Sequence, residues 1–412
     1  MDTYQKRDDH VRTRSWRKML VMGLIIFIGI NLRTIVLAVP PILPLLRHDL
    51  GLSYTQTGLI TSLPTLIMGG AALPAGLLIG RLGGRFMIAC GLALLALGGF
   101  LRALWPALLP LYFFTALLSL GIACSQTAIP SLVRQWFPTR IGFVSALFTD
   151  GLVIGETLGA VLTIPVVLGW LGQNAWAASF IFWAVPVVIA LFLWLWLAPT
   201  SPPTHSPEQA LSAESSSRAA ISTGHKPVRI SAWVLGLLIG GAQLTYFGMN
   251  AWIASYNQAL HIPEMTPLAL GVLNAAQLPV NLAATFFADR MAGKRAPFIV
   301  TGVICLIAIL GWLLTPATLE PLWAAFLGGS ATLVFTLGIA LPALLARGEQ
   351  IARMTGTMLT MGYIFSFLGP FLGGWLWDIT HVPAVAFLPV AFAALLLLTL
   401  GIVLPLHKHM AS

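Results

Sequence analysis

The chain has 412 residues, of which 58% are hydrophobic and 8% charged, with a formal net charge of +9. A water-soluble domain carries about 25% charged residues, so this composition excludes an ordinary soluble globule and requires most of the surface to face lipid. Three cysteines without pairwise spacing, Cys90, Cys124 and Cys305, suggest neither a disulfide framework nor a metal site.

A helix rises about 1.5 Å per residue and the hydrocarbon core is about 30 Å thick, so a crossing needs roughly 20 mostly apolar residues. Twelve stretches qualify, near 19–43, 54–79, 86–104, 107–133, 141–168, 176–197, 231–259, 267–288, 297–314, 321–345, 354–377 and 383–406. The first is too long for a secretory signal and lacks a small-residue cleavage site, so it is expected to stay as a span. Of the 22 Lys and Arg, 19 fall in the amino-terminal tail, the even-numbered connections and the carboxyl end. Arg47 and Arg102 fall on the other side, and Arg33 inside a span. The positive-inside rule therefore predicts both termini in the cytoplasm. The basic excess needs no nucleic-acid partner, because anionic inner-leaflet lipids would meet it.

In the first span, Arg33 sits about 20 Å along the helix, far from either headgroup layer. Insertion of Arg at a helix centre costs on the order of 2.5–3.5 kcal/mol, so such residues face a cavity or a counter-ion. Its planar fork of donors suits a carboxylate, a nitro group or a small linear anion. Pro40, Pro41 and Pro44 follow as bending points. The second span closes on Gly76, Arg81, Gly83 and Arg85, and the fourth contributes Gln126 as a candidate binding residue. In the fifth, Ser145, Thr149, Glu156 and Thr163 share a face, while Asp150 lies about 9 Å from Glu156 along the axis and about 120° around it. Glu156 is a candidate for proton coupling or for neutralising Arg33. Asp150, the other coupling candidate, reads better as structural. Gly151, Gly155 and Gly159 form a small-residue ridge for close helix approach. Trp105, Trp170, Trp176 and Trp312, near span ends, are expected as interface anchors.

Residues 199–230 turn abruptly to Pro, Ser, Thr and Glu, the composition of a linker. Beyond it the seventh span carries a stripe of Gln243, Tyr246, Asn250 and Asn257, and the eighth one of Asn274, Gln277 and Asn281. Such amides must point inward, either to line a cavity or to bond neighbouring helices. Tyr363 in the eleventh span offers a ring and a hydroxyl to a planar solute. Asp289 and Arg290 close the eighth span 209 residues after the corresponding Arg81, and Arg140 and Arg353 are offset by 213. An internal repeat of about half the chain is a mark of duplicated transporter halves.

The loop from Gly76 to Arg85 resembles the motif between the second and third helices of the major facilitator superfamily, with Gly80 standing where that motif carries an acid. A closer resemblance, to the cyanate and 2-nitroimidazole transporter subfamily, is carried along the chain. It comprises Asn31-Leu32-Arg33, Ser62-Leu63-Pro64, Pro130 to Arg134 with Phe137, Tyr246-Phe247 with Trp252, Met361-Gly362-Tyr363, Leu368-Gly369-Pro370 and Trp377-Asp378. The resemblance implies an all-α membrane protein of twelve transmembrane helices in two pseudo-symmetric six-helix bundles. The expected divisions are tail 1–18, bundle 19–198, linker 199–230, bundle 231–406 and tail 407–412. It also implies gating by Gly76, Arg81, Gly83, Arg85, Asp289 and Arg290, with a brace that is weaker or built otherwise where Gly80 replaces the acid.

The function expected is secondary active transport of a small polar or anionic solute, cyanate-like or nitroimidazole-like by resemblance, across a bacterial inner membrane. The alternative is export of lipophilic cations in exchange for protons. The absence of a GxxxxGK[ST] loop argues against ATP as the driver, and no His-Glu-x-x-His or Gly-x-Ser-x-Gly arrangement points to an enzyme. No cofactor and no metal are expected. The partners are the solute, a proton and membrane lipids, and the working unit is a monomer.

Overall fold

The computed structural model describes residues 2–199, 231–291, 294–345 and 349–404, apart from the side chains of 2–15, 17, 285–290, 343, 344 and 349–353. Residues 200–230 of the expected linker and the tail from 405 lie outside the described residues. Twelve helical spans cross: span 1 (Lys18–Leu50), 2 (Tyr54–Leu82), 3 (Gly84–Leu104), 4 (Leu108–Trp136), 5 (Ile141–Leu171), 6 (Trp176–Leu197), 7 (Ala232–Ala259), 8 (Pro263–Ala284), 9 (Ala296–Leu314), 10 (Ala317–Pro342), 11 (Met354–Thr380) and 12 (Pro383–Val403). An even number of crossings puts the start of span 1 and the end of span 12 on one side, called here the terminal face, and the other side is the opposite face.

Helix pairing repeats between the halves. Span 1 packs on 5 as 7 does on 11, 3 on 4 as 9 on 10, and 3 on 6 as 9 on 12. Each half has its own apolar core, one including Ile28, Leu92 and Trp194, the other Leu238, Trp252 and Phe387. The protein is thus an all-α membrane protein of two six-helix bundles. The bundles meet mainly where span 2 packs on 11 and span 5 on 8, two pairs that the same pseudo-symmetry exchanges. Leu109, Trp196 and Leu314 are among the large apolar side chains exposed on the outside, where they can contact acyl chains.

The sequence explains the irregular stretches. Pro40 and Pro41 lack N–H groups, and span 1 narrows to a 3₁₀ turn at Pro40–Ile42 before a short helix, Leu43–Leu50. Pro165 lies in a π-helical stretch, Thr163–Leu168, in span 5. Span 8 divides into Thr266–Ala275 and Gln277–Met291, two residues before Pro279. The glycine ridge of span 5 lies on span 1: a Cβ added at Gly151 would come 2.7 Å from the Ile26 carbonyl oxygen, at Gly159 2.7 Å from that of Thr34, and at Gly155 it would strike the Ile30 carbonyl.

The opposite face is closed. Asp378, at the end of span 11, accepts hydrogen bonds from the backbone N–H groups of Tyr54 (2.9 Å) and Thr55 (2.8 Å) and from the Thr55 hydroxyl (2.6 Å). The start of span 2 is thereby capped across the bundle interface by a carboxylate, the charge its exposed amides favour. Tyr54 stacks on Trp377 with ring centroids 3.9 Å apart, Trp252 meets both edge-on, and the Arg47 guanidinium lies 3.8 Å over the Tyr54 ring.

Two expectations for aromatic and basic residues are corrected. Trp105 and Trp170 are exposed, but Trp176 and Trp312 are buried, Trp176 donating its indole N–H to Asp49 at 2.6 Å. Arg102, counted with the charges of the far side, is buried in the last turn of span 3.

Candidate substrate cavity

A cavity of about 290 Å³ lies between the bundles. Its walls come from spans 1 and 5 of the first half and 7, 8 and 10 of the second. On span 5 they run from Ala146 to Glu156, and on span 10 from Ala331 to Ile339. Span 5 leaves the terminal face and span 10 returns to it, so the cavity reaches from the depth of Arg33 toward the terminal face. Thr149 and Ile339, toward that side, are exposed.

At the inner end, the Arg33 Nε lies 3.5 Å from Glu156 Oε1, with the side chains 13% and 8% exposed. This contact is an ion pair without hydrogen-bond geometry, for Nε has no hydrogen-bond partner. Among the described residues no protein acceptor takes a hydrogen bond from this guanidinium, so its fork of donors remains unspent at the cavity wall. The other carboxylate oxygen is used: Glu156 Oε2 accepts from Gln277 Nε2 at 3.1 Å, and Gln277 Oε1 accepts from the Thr332 hydroxyl at 2.7 Å. A chain Arg33–Glu156–Gln277–Thr332 therefore crosses from one half to the other. Gln277 can reach both neighbours because it opens the second segment of the interrupted span 8.

A second polar chain lies beside it. The Tyr246 hydroxyl donates to Asn274 Oδ1 (2.6 Å), Asn274 Nδ2 donates to Asn250 Oδ1 (2.9 Å), and Asn250 Nδ2 donates to the Tyr246 carbonyl (3.0 Å). The Tyr246 ring lines the cavity, whereas Asn250 and Asn274 are buried and use their amides on each other.

Residues 19–346 match the sequence profile of the Major Facilitator Superfamily. The chain belongs to that superfamily. It is 29% identical over 397 residues to the cyanate transport protein CynX of Escherichia coli K12, covering 92% of this chain and 95% of that protein. To the 2-nitroimidazole transporter of the same organism it is 26% identical over 390 residues, covering 94% and 95%. Among solved structures, the nucleoside transporter NupG superposes with a TM-score of 0.70 over 92% of this chain and 98% of that one at 12% identity. The inward-open form of the xylose transporter XylE from E. coli does so with 0.68 over 92% and 94% at 13% identity. As a superfamily member of this kind, the chain is a secondary transporter of a small molecule and not an enzyme.

Of the binding residues read from the sequence of this major facilitator protein, Arg33, Gln243, Tyr246 and Gln277 are brought together on the cavity, with Glu156. Gln126 is half-buried on span 4 and outside the lining. Tyr363 packs instead against Gly69 and the first-half core, helping to close spans 2 and 11 together. Asp150 accepts from Asn281 Nδ2 at 3.3 Å and stays off the lining, although Asn281 is on it. The stripe's far member, Asn257, donates to Glu320 Oε2 at 3.0 Å, deep in the second half.

The gating motif is partly described. Gly83 ends span 2 at φ +83°, a conformation that favours glycine. Arg85 donates to the Leu195 carbonyl at 3.2 Å, within its own half, while Arg81 is exposed. A side chain at Gly76 would just touch Thr127 of span 4, and one at Gly80 would meet open space. The side chains of Asp289 and Arg290 lie outside the described residues. Thr332 and Thr336 of span 10 escaped the sequence reading. Their signal is the i, i+4 spacing of two hydroxyls in a mostly apolar helix.

Proposed function

We propose that this transporter moves a small anionic or electron-rich solute, cyanate-like or nitroimidazole-like, across the bacterial inner membrane by alternating access coupled to protons. The observation that carries the reading is the Arg33 guanidinium, held at cavity depth by one carboxylate contact at 3.5 Å, with no N–H spent on a hydrogen bond to the described residues. A solute anion replaces the carboxylate as the partner of Arg33. A proton taken up by Glu156 releases that partner, so solute and proton enter the same exchange. Gln243 and the Tyr246 ring complete the cradle from the second half. The names of the cyanate and 2-nitroimidazole relatives support the solute class.

The positive-inside rule, applied to the basic tail and even-numbered connections, supports a cytoplasmic terminal face, and with that orientation the cavity opens toward the cytoplasm. The protein works as a monomer among lipids. Export of lipophilic cations fits less well, because such a cavity needs an acid without a counter-ion. Here Glu156 faces Arg33, and Asp150 lies off the lining, bonded to Asn281.

Proteoliposomes loaded against a panel of labelled cyanate, 2-nitroimidazole and lipophilic cations test the reading. Saturable cyanate or nitroimidazole uptake that is stimulated by an imposed pH gradient and lost in Arg33→Gln is expected. Uptake of cations alone, or anion uptake unchanged in Arg33→Gln, would overturn it.

A further inference from the structure

A second guanidinium lies inside the bundle without a counter-ion. Arg102 is 2% exposed, and among the described residues no carboxylate pairs with it. Its Nη2 donates to the Ile35 carbonyl at 2.9 Å, its central carbon stands 4.0 Å over the Phe180 ring, and its Nε has no hydrogen-bond partner. One carbonyl and one ring face offset only part of the cost of burying a charge. A cation kept under those terms is a candidate for an anion that arrives and leaves.

Its surroundings agree. Arg102 lines a small chamber at the bundle interface together with Thr61, Pro64, Thr115, Phe247 and Asn250. Phe247 also lines the large cavity, so its ring stands between the two spaces. Along span 7, which runs from the terminal to the opposite face, Gln243 and Tyr246 serve the large cavity and Asn250 and Ala251 the small one. On span 1, Arg33 faces the large cavity, and Ile35, two residues further on, holds Arg102. The two guanidinium groups therefore stand in sequence along one path, on either side of an aromatic partition. With the opposite face fastened, the chamber measures about 20 Å³, room for about one water molecule.

We propose that Arg102 is a second anion-binding residue of the transport path, the station that receives the solute from the opposite face before Arg33 does. This rests on the anion reading above. The ligand class is a small monovalent anion of a few heavy atoms, and the chamber widens to take it when spans 2 and 11 part at the opposite face.

The test is labelled cyanate uptake into oriented vesicles of both polarities, with KM measured from each face for wild type, Arg102→Gln, Arg102→Lys and Arg33→Gln, and thermal unfolding recorded on the same samples. Loss of a charged hydrogen bond corresponds to about a 10- to 100-fold weaker contact, so Arg102→Gln is expected to raise KM by about that much from the opposite face. From the terminal face it stays within about twofold, Arg102→Lys recovers part of the loss, and Arg33→Gln is impaired from both faces. If Arg102→Gln changes both faces alike, or neither, or if both Arg102 variants fail to fold, Arg102 is a structural prop and the station does not exist. If wild type moves no cyanate from either face, the station falls; the reading above falls with it only if 2-nitroimidazole is not moved either.

Discussion

Replacing Glu156 by Gln separates the two roles of the central pair. At 3.5 Å and an effective dielectric constant of about 20, the attraction between Arg33 and Glu156 is about 4.7 kcal/mol before desolvation is subtracted. An incoming anion forgoes that attraction when it takes the guanidinium from the carboxylate. If desolvation cancels about two thirds of it, some 1.5 kcal/mol of competition remains, about tenfold in affinity. Glu156→Gln therefore binds a small anion about tenfold more tightly at neutral pH. Gln277 can still bond the new amide, so the second half stays attached. Isothermal titration measures this, and proteoliposomes show the other side. Exchange of labelled for unlabelled solute continues in Glu156→Gln, while accumulation driven by a pH gradient is lost. Equal affinity in both proteins, with gradient-driven accumulation intact in the variant, would refute the competition and the coupling role together.

Three other outcomes are expected. Asp378→Ala removes the acceptor of three charge-assisted bonds that cap span 2, each about 1.5–3 kcal/mol. Even a net change of about 1.4 kcal/mol shifts the two-state ratio tenfold, so spin labels at the exposed positions His48 and Ile379 report a longer distance population by pulsed resonance. Gln277→Leu leaves the Thr332 hydroxyl and one Glu156 oxygen without a partner, for a loss of about 1–3 kcal/mol; a lower unfolding temperature and weaker solute binding are expected, and an unchanged unfolding temperature would discount the inter-half chain. Gly155→Leu drives a side chain into the Ile30 carbonyl, an overpacking of about 1–3 kcal/mol or more, and folded yield measured by size-exclusion fluorescence falls sharply.

The twelve crossings were legible because lipid imposes one rule on every residue of a span, and mean apolarity over about 20 residues reports it. Arg33 and Glu156 stood out for the same reason, as ions where none is tolerated without cause. Partner choice was not legible. The stripe on span 7 says that Asn250 points inward, but only the position of span 8 decides that Asn274, rather than a cavity, takes its amide oxygen. Tyr363 likewise turns to Gly69, since the glycine leaves a niche across the bundle interface that no local pattern in span 11 reveals. Arg102 misled for a different reason: two residues from the end of an apolar run and close to Trp105, it has the local signature of a charge near the membrane surface. Its burial is decided by a carbonyl and a ring that lie 67 and 78 positions away. Pro279 marks the broken span 8 in the sequence, yet the use of that break, freeing Gln277 to bond in two directions, depends on where spans 5 and 10 pack against it.

The carboxylate that Asp378 lays on the start of span 2 has no counterpart at Gly80, where the superfamily motif would place an acid near the other end of the same helix. Among the described residues, a carboxylate cap across the bundles is thus found on span 2 at the opposite rim. Under the alternating access proposed above, an unloaded carrier built this way idles with its chamber toward the terminal side, and the slow stroke of its cycle is the unfastening at the far rim. Solute arriving from that far side must wait for a spontaneous parting, whereas solute on the near side finds an open vestibule. Turnover in the two directions then differs in rate while the overall equilibrium, fixed by the gradients alone, does not.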